Sequence, residues 1–151
     1  MKNTVYIYVF DTIADWEIGY LSAEINSGRY FKKGAKPLKV VTVGITKTPI
    51  ITMGGLKILP EIELKECSIK DAAALILPGG NTWTEAFHAP IIEMAEKYLE
   101  KGIVVGAICG ATIGLAMGEY WINEIIQAMT WGILKWSVLV MMEKCIISRN
   151  V

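Results

Sequence analysis

Apolar positions along the chain fall into short, nearly unbroken runs separated by glycine, proline and charged residues. "TVYIYVF" (4–10), "LKVVTVG" (38–44), "AALILPGG" (73–80) and "IVVGAI" (103–108) are rich in aliphatic and β-branched residues and predict four strands. Between them lie helical patterns. One starts at Thr12, places Ile13, Trp16, Tyr20, Leu21 and Ala23 close to one stripe, and ends near "NSG". "APIIEMAEKYLEKG" follows, with Pro90 near its start and Gly102 as its stop, and "GATIGLA" is the third. The Gly-Gly pair in "ITMGGLKILP" suits a small hairpin. Strands alternating with helices predict a mainly parallel sheet covered on both faces, a three-layer α/β/α sandwich.

Ligands of such sheets bind at the carboxyl ends of the strands. Three features converge there on connectivity alone: the turn after Phe10, the loop Pro78-Gly79-Gly80, and Cys109.

The pattern changes near Gly118. All five prolines and 13 of the 14 glycines precede Glu119, whereas three of the five tryptophans follow it. The expected organisation is therefore an α/β domain over 1–118 and an atypical apolar tail over 119–151. A helix over 119–129 and a strand near 137–142 are the elements the tail could form.

Composition narrows the function classes. Lys+Arg and Asp+Glu both number 15, and the basic stretch "RYFKKGAKPLK" sits among turn residues as a solvated loop, so nucleic acid is not the expected partner. "WGILKWSVLVMM" is too short for a membrane span, which needs about 20 residues. The start of the chain does not have the form of a signal peptide. Cys67, Cys109 and Cys145 have neither metal-like spacing nor an even count, which points to the reducing cytoplasm and to no metal or other cofactor.

The chemistry centres on "VVGAICGATIGLA". A strand turning sharply into a helix lifts its first turn residue off the sheet and requires small residues next, which Gly110 and Ala111 supply. The helix start would stabilise a thiolate at Cys109, making it a nucleophile or an oxidisable thiol. The alternative is a cysteine packed as a small hydrophobe. "LPGG" is either an ordinary strand exit or a turn whose N–H groups face negative charge. Glu17, spaced four from Ile13 and Leu21, is either a carboxylate on an apolar helix face or a boundary residue. Asp15 is expected to serve the helix start or solvent. His88 is expected at the surface or a helix start, with Cys67 and Cys145 as bystanders. No GxGxxG or P-loop fingerprint is present.

"DWE" (15–17), "LILPGG" (75–80) and "AICGAT" (107–112) together resemble the DJ-1/PfpI superfamily, of the class I glutamine-amidotransferase-like fold, over about residues 3–118. The resemblance implies a flavodoxin-like sandwich with the C-terminal part of the family fold missing. It implies Cys109 as the elbow nucleophile and Glu17 as the carboxylate beside it. Gly80, Gly110 and Gly79 fall at the backbone oxyanion positions, and a homodimer is the family's usual assembly. The implied function is a cysteine-dependent amidase, peptidase or glyoxalase-like hydrolase acting on a small molecule or peptide. A non-catalytic redox or stress-response module and a non-functional truncated product are the alternatives.

Two departures bear on activity. The chain is shorter than the family's usual 180–200 residues or so, and no histidine follows His88. A frame change is the expectation that would account for both: one codon choice for Trp121–Trp131, read one base out of register, encodes D-K-R-D-H-T-S-N-D-L. Impaired activity is the expected consequence.

Overall fold

The computed structural model describes residues 2–117 and Ile146–Ile147. Five parallel strands form the main sheet: β1 (Thr4–Tyr8), β2 (Lys39–Gly44), β5 (Ile62–Glu63), β6 (Ala72–Leu77) and β7 (Val104–Ala107). β8 (Ile146–Ile147) joins antiparallel to β7, giving the order β5-β2-β1-β6-β7-β8. Helices α1 (Asp15–Ser27), α2 (Ala89–Glu100) and α3 (Gly110–Met117) complete a flavodoxin-like α/β/α sandwich. β3 (Ile50–Ile51) and β4 (Lys57–Ile58) pair antiparallel as the hairpin expected around Gly54-Gly55. The tail elements expected over 119–129 and 137–142, and Cys145, lie outside the described residues.

β1 is the central strand, and all five of its residues are buried, as a strand covered on both faces demands. Tyr6 pairs with Val41 on one side and Leu75 on the other. The chain runs outward from β1 through β2 to β5, then returns across β1 to β6. The sheet therefore reverses direction between β1 and β6, and the crevice at their carboxyl ends is where this architecture places ligands.

α2 is amphipathic as predicted: Ile91, Ala95, Tyr98 and Leu99 are buried at helical spacing, and Gly102 stops the helix with φ 65°. α1 departs from its prediction. It begins at Asp15 rather than Thr12, and Ile18, Leu21 and Ile25 form the stripe against the core. Trp16 and Tyr20 are 60% and 68% exposed. Ile13 is buried but precedes the helix. The apolar pattern was spread over two stripes, and only tertiary packing chose between them.

Candidate active site

The site is assembled from three loops at the switch point. The first follows β1. Thr12 has φ 72°, a costly conformation for a β-branched residue, and is held there by its neighbours. Its N–H donates to Ile51 O at 2.8 Å, and its Oγ1 accepts from Asn81 N at 3.0 Å. Asp11 Oδ1 accepts from Ile51 N, and Asp15 Oδ2 accepts from Gly54 N, each at 2.7 Å. Asp15 opens α1, as expected of a helix-start residue, and its carboxylate also anchors the hairpin. The Thr52 hydroxyl, with the Gly54 N–H, lowers its pKa below the ordinary carboxylate value.

The second loop is Pro78-Gly79-Gly80. Ala14 N–H donates to Gly79 O at 3.0 Å, and Gly79 N–H donates to Glu17 Oε2 at 2.5 Å, so α1 and this loop hold each other reciprocally. Burial pushes the Glu17 carboxyl above its usual pKa, and the Gly79 hydrogen bond draws it partly back. Of the three expected backbone donors, Gly79 is thus committed to Glu17.

The third is the elbow. β7 ends at Ala107, α3 begins at Gly110, and Cys109 between them adopts φ 51° with its side chain exposed. Thr12 and Cys109 are the only non-glycine residues with positive φ among those described, and both sit at this rim. Such strain persists only where surrounding structure over-determines it.

Glycine allows these loops to close together. A Cβ on Gly79 would lie 2.9 Å from Cys109 Cβ and 3.0 Å from both Glu17 carboxylate oxygens, so thiol and carboxyl flank one point. A Cβ on Gly80 would lie 2.5 Å from Phe10 Cε2, and one on Gly110 would lie 2.9 Å from Gly80 O and 3.6 Å from Gly80 N. The Gly80 and Gly110 peptides are therefore in contact beside the thiol. An exposed sulfur, a carboxyl that keeps its proton to higher pH than usual, and adjacent main-chain amides are the elements of nucleophilic chemistry on a carbonyl.

The sequence profile of the DJ-1/PfpI family matches residues 3–124. The chain belongs to the DJ-1/PfpI family. It is 56% identical over 116 residues to the uncharacterized protease YoaZ of Bacillus subtilis strain 168, covering 77% of this chain and 55% of that protein. It is 32% identical over 83 residues to the glutathione-independent glyoxalase DJR-1.2 of Caenorhabditis elegans, covering 54% of this chain and 45% of that one. Among solved structures, the thiJ/pfpI family protein from Bacillus anthracis is similar with a TM-score of 0.71 at 56% identity, covering 77% of this chain and 55% of that one. The DJ-1 superfamily protein Atu0886 from Agrobacterium tumefaciens gives 0.63 at 26%, with coverages of 75% and 56%. This DJ-1/PfpI chain spans about half the length of the curated relatives it matches.

His88 stands at the start of α2, one of the two places expected for it, and closes a short 3-10 helix there; it is wholly buried rather than at the surface. Tyr8 OH lies 3.0 Å from its Nδ1 and Thr82 Oγ1 lies 3.0 Å from its Nε2. Burial lowers its pKa to about 4, so the ring is neutral at pH 7.

Thr12, Trp83 and the aromatic cluster around His88 carried no motif in the sequence. An open cleft of about 310 Å³ runs along the same rim, lined by Phe10, Ile45, Thr46, Thr82 and Glu85 among others, but neither Cys109 nor Glu17 lines it. Among the described residues no helix is long and apolar enough to cross a membrane.

Proposed function

We propose that this chain carries the nucleophilic site of a cysteine-dependent hydrolase or glyoxalase-like enzyme of the DJ-1/PfpI family. The observation that supports it best is the meeting of Cys109 and Glu17 across Gly79 at the sheet's switch point. Cys109 Sγ attacks a carbonyl carbon of a small molecule or peptide. The Gly80 and Gly110 N–H groups receive the developing oxyanion, and Glu17 exchanges a proton with the thiol or the leaving group. The protease and glyoxalase among the relatives are consistent with carbonyl chemistry at one site. A free reactive thiol suits a reducing cytoplasm.

Turnover by this chain is weak in this reading. Its one histidine has both ring nitrogens engaged by Tyr8 and Thr82, leaving none to relay protons to a leaving group. The abrupt composition change at residue 119 supports reading 119–151 as out of frame, and sequencing the encoding DNA tests that directly. A one-base shift that restores a polar, histidine-containing stretch is the expected result.

A second reading is favoured by the exposure of Cys109: a redox module whose thiol is oxidised by peroxide beside Glu17. Iodoacetamide labelling of Cys109 across pH, followed by assays with methylglyoxal, peptide and amide substrates, separates the two. Rapid labelling with turnover supports the enzyme, rapid labelling without turnover supports the redox module, and labelling no faster than glutathione overturns both.

The same reading includes a homodimer. α1 buries no residue completely, and Trp16 and Tyr20 stand exposed, while the hairpin bonded to the start of α1 exposes Ile51, Met53 and Leu56. Clustered apolar surface of this kind suits a self-complementary contact. Sedimentation should show a dimer that Trp16→Glu dissociates; a wild-type monomer at micromolar concentration would overturn it.

A further inference from the structure

We propose that Trp83 is the positioning residue that sets the Cys109 elbow against the Pro78-Gly79-Gly80 loop. The inference rests on the reading of Cys109 as nucleophile.

Trp83 is 3% exposed and packs between the exit of β6, the Tyr8, Phe10 and His88 rings, and α3. Its Nε1–H donates to Pro78 O at 2.8 Å, which ties the indole to the exit of β6. On another side it fills the surface of α3 from which side chains are missing. Gly110 and Gly114, four residues apart, share one helix face. A Cβ on Gly110 would lie 3.2 Å from Trp83 Cδ1, and a Cβ on Gly114 would overlap Trp83 Cε3. The indole thus spans the gap between the loop that follows β6 and the helix that follows β7. Those are the elements carrying the Gly80 and Gly110 amides.

The clamp is itself held. The His88 ring stacks on Trp83 at 4.4 Å with an interplanar angle of 18°, and His88 is fixed through both nitrogens by Tyr8 and Thr82. Phe10 meets the indole edge-on at 5.4 Å and 80°, and the same Phe10 ring presses against Gly80. Neutral imidazole presents one donor and one acceptor, and the two hydroxyls satisfy either tautomer without moving the ring. This packing gives a physical reason for a buried histidine that forms no contact with the thiol chemistry: it backs the indole.

The strain at Cys109 explains why a clamp is required. A non-glycine residue at positive φ relaxes unless its surroundings resist. Here α3 cannot pivot away from the loop without opening the contact with Trp83, nor toward it without driving Gly114 into the ring.

The test uses the full chain in a Cys67→Ser/Cys145→Ser background, so that Cys109 is the only thiol, and measures its iodoacetamide alkylation rate across pH with a melting curve for every variant. Trp83→Phe removes the hydrogen bond to Pro78 and part of the ring, while Gly114→Ala pushes the intact ring without touching the loop. Each is expected to slow alkylation about tenfold and to shift its pH profile, the scale of a small misplacement of reacting groups. The double variant should be no slower than Trp83→Phe alone, because the smaller ring makes room for the methyl group. Lowered melting temperatures with an unchanged rate and profile would overturn the inference and leave the nucleophile reading intact. A parent protein that alkylates no faster than glutathione overturns both. Should Gly114→Ala not fold, Trp83→Phe decides by the same criterion.

Discussion

The chain's two described thiols sit at opposite rims of one sheet and live under opposite rules. Cys109 follows the carboxyl end of β7, exposed, at positive φ, with glycine peptides on one side and Glu17 on the other. Cys67 precedes β6 near the amino ends, where the N–H groups of Asn3 and Thr4 donate to Asp71 O. It is half-buried against the core beside the Tyr6–Tyr98 pair, and Tyr6 OH accepts from Ser68 N at 3.1 Å. Burial, reinforced by the neighbouring Glu66 carboxylate, pushes the Cys67 thiol up to about 12. At the carboxyl rim Gly79, Gly80 and Gly110 let the loops close around Cys109, whereas Cys67 packs beside Tyr6 and Tyr98. In the reading proposed above, strand polarity, more than the cysteine itself, makes one sulfur the nucleophile and the other core.

The widest gap this comparison predicts is in alkylation. At neutral pH Cys67 should react on the order of a thousandfold more slowly than a free thiol of ordinary pKa ~8.5, and Cys109 should take nearly all the label. Peptide mapping after partial labelling checks it; equal labelling would erase the distinction.

Next in size is Gly79→Ala. The added methyl would meet Cys109 Cβ at 2.9 Å and the Glu17 oxygens at 3.0 Å. Alkylation of Cys109 should fall about a hundredfold, with stability lower by about 1–3 kcal/mol. A variant that labels at the parent's rate would show that the close approach is incidental.

Smaller, and confined to stability, is the effect of His88. Its folded-state pKa lies below the ordinary 6.5, so its contribution is fully present above pH 6.5 and lost as pH falls toward 4. The loss should amount to roughly 3 kcal/mol. His88→Gln should flatten that acid limb in denaturant titrations between pH 7 and 4, at the expense of stability at pH 7.

The smallest expected change comes from Glu17→Gln. Because the Glu17 pKa is raised by burial, its stabilising contribution is present below the unfolded value of 4.5 and is lost as pH rises through the folded one. Removing the charge should stabilise the protein at pH 7 by under about 1 kcal/mol. It should also remove the inflection that Glu17 puts into the pH profile of Cys109 alkylation. An unchanged profile would separate the carboxyl from the thiol.

The sequence by itself determined the sandwich, its four long strands and the family. Apolar runs buried on both faces, glycine punctuation and the three short motifs are local signals that survive any packing. It also put Cys109, the turn after Phe10 and the glycine loop at one rim, because strand direction follows from connectivity; Glu17 beside the thiol was implied only by the family resemblance. Tertiary structure alone decided the face of α1, the anchoring of the hairpin by Asp15 and the burial of His88. None of these has a local signature. Trp16 and Ile18 are both apolar but lie on different faces of one helix, and only the sheet beneath selects between them. Trp83 looks like any loop aromatic until Gly110 and Gly114 are brought against its ring. Periodicity reports what a segment could bury; what it does bury depends on contacts between residues far apart in the chain, formed only when the sheet closes.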